Sequence, residues 1–245
     1  MKVNYQSVEL FGVSGSGKTH IRNLLKKKLE VKNYEIFDTR ELIIKYIGQL
    51  TKPNFFDFLI LKFFNFLLFF DIKTTLWNYT LNKLSNKLLK NNEKLYKKLK
   101  TSYEINIFKK KNKFFNIVNI WLKELIVAFI IFEKVKKKEK IIYFPEEGFL
   151  QKVFLLGYKN KLNKNILKKY LNLKLFCNKI ILVKNSKKRI NLVHKIRKEK
   201  KQDWLLNSSE INRMYMIQKF LEKNIKFKFQ IINNSKEQNF NKYEL

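Results

Sequence analysis

Along the chain, short apolar runs alternate with longer stretches in which apolar residues recur every three or four positions, and that alternation predicts the elements. "SVELF" (7 to 11) is a β-rich run, and behind it Ile21, Leu24, Leu25 and Leu29 recur at helical spacing. "YEIF" (34 to 37), "KIIYF" (140 to 144), "KIILVK" (179 to 184) and "IKFKFQII" (225 to 232) are further runs of strand length. Pro145 stops the run before it, because its ring nitrogen has no hydrogen to give to a ladder. From Pro53 to Lys138 there is no glycine and the pattern is helical almost throughout, with Asn and Lys clusters near 90 to 94 and 109 to 113 as turns. A helical stretch crowded with Lys and Arg, within 186 to 204, separates the last two strands.

Five short strands separated by helical stretches predict an α/β fold: a five-stranded parallel sheet with helices on both faces, three layers in all. The residues from 53 to 138 read as a helical insert between the second and third strands of a single domain spanning 1 to 245. No fixed-period repeat and no long Gly/Ser linker divides the chain. In such sheets ligands bind beyond the carboxyl ends of the strands.

Two apolar stretches, 55 to 70 and 114 to 132, approach the length of a membrane span, which needs about 20 apolar residues. The first is too short and carries Asp57, Lys62 and Asn65; the second contains Asn116, Asn119, Lys123 and Glu124. Each polar set falls within about half a helical wheel, so both read as packed amphipathic helices in preference to helices lying on a membrane. The N-terminus "MKVNYQSVEL" has no signal-peptide apolar core, which makes the cytoplasm the expected location.

Composition changes the picture in one respect. The formal charge of +33 suggests nucleic acid, yet only five of the 53 basic residues are arginine, Ala128 is the only alanine, and Lys, Asn, Ile and Phe abound. That is the signature of an AT-rich coding sequence, so the lysine runs read as solvated faces and nucleic acid is not the expected partner. Peripheral membrane contact is a weaker expectation than a small-molecule partner. The single Cys177 excludes an intramolecular disulfide and reads as a small buried hydrophobe.

The scarcity of glycine makes one cluster informative. Of six glycines, three stand in "GVSGSGKT", where Gly12, Val13, Ser14, Gly15, Ser16, Gly17, Lys18 and Thr19 match G-x-x-x-x-G-K-[ST] between a predicted strand and a predicted helix. In that pattern main-chain amides surround phosphate oxygens and the helix N-terminus adds its positive end. The lysine reaches the β and γ phosphates, and the hydroxyl helps to hold Mg²⁺. A guanine-reading N-K-x-D is missing, since "NKII" (178 to 181) lacks the Asp, and no "LSGGQ"-like signature occurs.

With those alternatives set aside, the chain resembles the P-loop nucleoside and nucleotide kinases, the thymidylate-kinase-like group of small-molecule kinases. The phosphate loop is the specific match; "FDTRE", "IIYFPEEGFLQK", the basic helical segment and "INNSKEQN" follow in the group's order. The resemblance implies strand order 2-3-1-4-5, ATP with Mg²⁺ as phosphoryl donor, and an acceptor pocket built by the region between strands two and three. It implies that Asp38 accepts the proton of a hydroxyl acceptor or that Arg40 clamps an acceptor phosphate, although "DTRE" equally suits a helix start. Glu146 is expected to face the metal and Glu147 the acceptor, a glutamate pair standing where the group more often shows Asp first. Arg189 and Arg197 are expected on a lid, with Arg197 the stronger candidate to cover the transferring phosphoryl group. A nucleotide-driven ATPase or switch acting on a macromolecule is the competing reading. Trp77, Trp121 and Trp204 read as packing residues, and His20 and His194 as helix residues without metal-ligand spacing.

Overall fold

The structure is a computed structural model that describes residues 7–52, 54–67, 73–94, 96–98, 101, 113–136, 140–155, 164–173, 175, 177–199, 208–224 and 230–233. Its elements run β1 (Val8–Phe11), α1 (Lys18–Glu30), β2 (Glu35–Phe37), α2 (Thr39–Thr51), α3 (Phe55–Leu67), α4 (Lys73–Leu89) and α5 (Lys113–Val135). Then come β3 (Ile141–Tyr143), α6 (Phe149–Lys152), α7 (Lys164–Leu171), β4 (Lys179–Lys184), α8 (Lys187–Glu199), α9 (Ser208–Asn224) and β5 (Gln230–Asn233). Among the described residues, the connection from β2 to β3 contains only helices as regular structure, α2 to α5 with a short 3₁₀ turn at Lys90–Asn92.

The expected five-stranded sheet is not what forms. β1, β4 and β5 make a three-stranded parallel sheet in the order β1-β4-β5, and β2 and β3 make a separate two-stranded parallel sheet. Between them, among the described residues, the backbone makes one isolated bridge, Ser7 to Tyr143. Stagger explains the split: the bridge joins the residue before β1 to the last residue of β3, so β1 continues where β3 has ended. The next residues on the β3 side are Phe144, whose N–H donates to Phe37 O of β2 at 2.8 Å, and Pro145, which has no N–H. Ser7 meanwhile turns its polar groups to the β4 side, accepting from Lys179 N at 3.0 Å and from Asn178 N at 2.9 Å.

Side chains span what the ladders leave apart. Alternate residues of each strand enter opposite clusters, as the two-residue strand period requires. Phe11, Ile141, Tyr143, Ile180 and Leu182 join the larger cluster with Leu42, Tyr46 and Ile47 of α2 and Leu122, Ile126 and Ile131 of α5. Val8, Leu10, Ile142, Phe144, Ile181, Val183 and Ile232 join Ile21, Leu25 and Leu29 of α1 in the second. Both clusters therefore draw on both sheets; β1, β3 and the middle of β4 are buried on both faces, whereas β2 and β5 are only partly covered, with Glu35 and Ile231 exposed.

The first apolar stretch departs from expectation in its orientation. On α3, Asp57 is buried and paired with Lys83 of α4 at 2.9 Å, whereas Phe55, Phe56, Phe58 and Phe63 face outward. The second stretch behaves as a packed helix: Leu122, Ile126, Val127, Ala128, Ile131 and Phe132 of α5 are all buried. Lys123, also buried, donates from Nζ to Asn82 and Asn86 of α4 at 2.8 and 3.2 Å, and burial lowers its pKa. Among the described residues, no helix is long and apolar enough to cross a membrane.

Candidate functional site

The loop from Gly12 to Gly17 joins the end of β1 to the start of α1, and its turn depends on Gly15 and Gly17, with φ of 81° and 97°. Ser16 N–H donates to Val13 O at 3.1 Å, which curls the chain. Lys18 folds back over the loop, its Nζ donating to Gly12 O at 2.9 Å and Val13 O at 3.2 Å. No side chain caps α1 and no acid stands in its first turn, so the positive helix end suits an anion.

Neighbouring elements fix this loop. Gly12 N–H donates to Gln151 Oε1 at 3.3 Å, and Asn185, just beyond β4, donates from Nδ2 to Ser16 O at 3.4 Å. His194 of α8 is buried with its Nε2 3.1 Å from Ser14 O, and its ring lies against Gly15. A cavity of about 390 Å³ opens beside the loop, lined by Ser14, Gly15, Gly17, Lys18 and Thr19 with Arg22, Glu146 and Glu147 opposite.

A second cavity of about 380 Å³ is lined by the same acidic pair. Asp38, Thr39 and Arg40 from the start of α2 line it with Trp121 and Glu124 of α5, Lys152, and again Glu146 and Glu147. Asp38 is the N-cap of α2: its Oδ1 accepts from Glu41 N at 2.9 Å, and Glu41 returns the bond to Asp38 N at 2.8 Å. Arg40 pairs with the buried Glu124 at 3.1 Å. Glu147 pairs with Lys152, whose ammonium is buried and lies 4.2 Å from the centre of the Trp121 ring, a cation–π contact.

Glu9 holds the acidic turn in place from behind. It is the one charged residue inside β1, fully buried, and its Oε1 accepts the N–H of Gln151 at 2.9 Å. Burial raises its pKa to about 8, against the opposing pull of the backbone amides of Gln151, Leu150 and Phe149 and of the Lys152 charge. Gly148 stands directly over it, since a Cβ there would come within 2.3 Å of the Glu9 carboxyl carbon. That close approach accounts for the glycine in "PEEGF". Burial likewise pushes the Tyr143 hydroxyl and the Cys177 thiol up.

The structure thus brings Ser14, Gly15, Gly17, Lys18, Thr19, Asp38, Arg40, Glu146 and Glu147 to two cavities that share a wall, while Gly12, Val13 and Ser16 of the loop are buried and line neither. It does not bring Arg189 to either; that residue is exposed near the start of α8. The Arg197 side chain, Trp204 and most of "INNSKEQN" lie outside the described residues, as does the Trp77 side chain. The pattern missed Glu9, Trp121, Glu124, Gln151, Lys152 and His194. Of these only Glu9 carried a visible signal, a charge inside a strand that is otherwise apolar.

Thr19 and Glu146 supply exposed oxygen donors to one cavity. Among the described residues no cluster of three or more His, Cys, Asp or Glu could hold a metal by itself. Mg²⁺ fits such a sparse set, since it keeps several waters and takes further oxygens from bound phosphates. No family model, no curated protein and no solved structure matches this chain.

Proposed function

We propose that the chain is an ATP-dependent kinase of a small-molecule acceptor. One observation carries the reading: the cavity beside the glycine loop and the cavity beside Asp38 and Arg40 are both lined by Glu146 and Glu147, as a donor and an acceptor exchanging one group require.

In this reading the triphosphate rests against the loop and the α1 N-terminus, and Lys18 exchanges its carbonyl partners for phosphate oxygens. Thr19 and Glu146 would hold Mg²⁺, which when bound would supply neutralising charge to the phosphates. The acceptor lies between Asp38, Arg40 and Glu147. Its oxygen forms the new bond to the γ-phosphorus, the bond from that phosphorus to the β–γ bridging oxygen breaks, and ADP leaves. Asp38 takes the proton released by a hydroxyl acceptor; for an anionic acceptor Arg40 provides a planar two-pronged donor. The cytoplasm, where ATP is plentiful, is the location that goes with this activity.

The test is incubation of a metabolite pool with γ-labelled ATP and Mg²⁺, with Lys18→Ala in parallel. A labelled small product made by the native chain and lost in the variant is the expected result. ATP turnover yielding only inorganic phosphate would replace the kinase with a hydrolase, and no magnesium-dependent ATP affinity in the native chain would end both readings.

A further inference from the structure

α3 is mounted with its acid, Asp57, inward and with Phe55, Phe56, Phe58 and Phe63 outward. Phe55 is 78% exposed, Phe56 59%, Phe58 50% and Phe63 51%, and at about 100° per residue all four fall on one half of the helix. Lys62 is exposed within the same half, and Lys52 is exposed just before the helix begins. The only acid of α3, Asp57, occupies the opposite side, where it is 1% exposed.

Two contacts fix that orientation. Asp57 pairs with Lys83 of α4 at 2.9 Å, and Asn54 Oδ1 accepts the Asp57 N–H at 2.8 Å, closing the first turn. Rolling the helix to bury the phenylalanines would break the Asp57–Lys83 pair. Contiguous exposed aromatics on a folded surface mark a contact site for a partner or a membrane.

Charge selects the occupant. The chain carries +33, and the described part of α3 shows no exposed acid to set against Lys62. A second copy docking face to face would set Lys62 close to Lys62 and one strongly cationic molecule against another. An anionic bilayer surface satisfies both halves of the pattern: rings enter the boundary between headgroups and acyl chains while lysines reach to lipid phosphates and carboxylates.

We infer that the outward face of α3, with Phe55, Phe56, Phe58, Lys62 and Phe63, docks the protein on an anionic membrane surface, the helix lying in the interface without crossing it. This goes beyond phosphoryl transfer and does not depend on it.

The experiment is co-sedimentation of the full chain with vesicles, either pure phosphatidylcholine or phosphatidylcholine with about one third phosphatidylserine, at about 0.15 M salt. The native chain is expected to bind the mixed vesicles and to leave the neutral ones in the supernatant. A triple variant, Phe55→Ser with Phe58→Ser and Phe63→Ser, should lose at least about tenfold in affinity while keeping the native melting temperature, because these side chains are exposed. Should the triple variant melt early, Phe58→Trp replaces it: its emission should shift to the blue with mixed vesicles. Failure of the native chain to bind, equal binding to both vesicle types, native-like affinity in the folded triple variant, or no shift in Phe58→Trp would each overturn the inference. A lipid-free dimer abolished by the triple variant would overturn it in favour of a second copy.

Discussion

Replacing Glu9 by Gln tests whether the carboxyl behind the acidic turn is neutral in the folded protein. Its pKa is about 8 in the fold, against an ordinary 4.5. Between those values the folded state holds a proton that the unfolded chain gives up, so the stability this group contributes is fully present below 4.5 and drains away as pH rises toward 8. Full loss amounts to about 5 kcal/mol, which at about 2–4 °C per kcal/mol for a chain of this size lowers the melting temperature by on the order of 10 °C. Glutamine keeps the oxygen that accepts the Gln151 N–H and places an amide nitrogen where Glu9 Oε2 has no hydrogen-bond partner. The variant therefore mimics the protonated acid and carries no titration. Thermal melts followed by circular dichroism should coincide for native and Glu9→Gln protein near about pH 4 and separate by on the order of 10 °C near about pH 9, with the variant the more stable. Titrations remote from Glu9 are common to both proteins and cancel in the difference, while Tyr143 and Cys177, which feel the Glu9 charge, do not cancel in full. A gap between the two curves that stays constant from acid to base would refute the argument, since Glu9 would then ionise alike in the folded and unfolded chain.

Asp38→Asn keeps an N-cap acceptor for α2 and removes the proton acceptor, so transfer to a hydroxyl should fall by about 10²–10⁴-fold. Magnesium-ATP affinity by calorimetry and the melting temperature should stay as they are; undiminished transfer would remove the base assignment. Gln151→Met fills the same space without an oxygen for Gly12 N–H, and that lost bond is expected to weaken magnesium-ATP binding by about tenfold. Unaltered affinity would mean that the loop keeps its shape without Gln151.

What could be read from the pattern was whatever depends on local periodicity. "KIILVK" matches β4 residue for residue, and the glycine loop stands between a strand and a helix as its spacing implied. The sheet was misjudged because strand existence is local while strand overlap is not: nothing in "SVELF" or "KIIYF" reveals that one ends as the other begins. Helix orientation failed on α3 for a related reason. A wheel shows which residues share a face, but which face points inward was decided by Lys83, a partner 26 residues beyond Asp57. The cavity beside Asp38 and Arg40 was half visible, with those two residues and the glutamate pair legible. Its far wall comes from Trp121 and Glu124 on α5, and only folding brings that helix there.

Among the described residues one bridge, Ser7 to Tyr143, joins the two sheets, and apolar side chains from shared clusters span the rest of the seam. Hydrophobic contact loses strength in the cold, whereas a hydrogen-bonded ladder does not weaken in the same way. Chilling therefore loosens the contacts that hold this seam, where Glu9 and Gly148 also meet, behind the shared wall of both cavities.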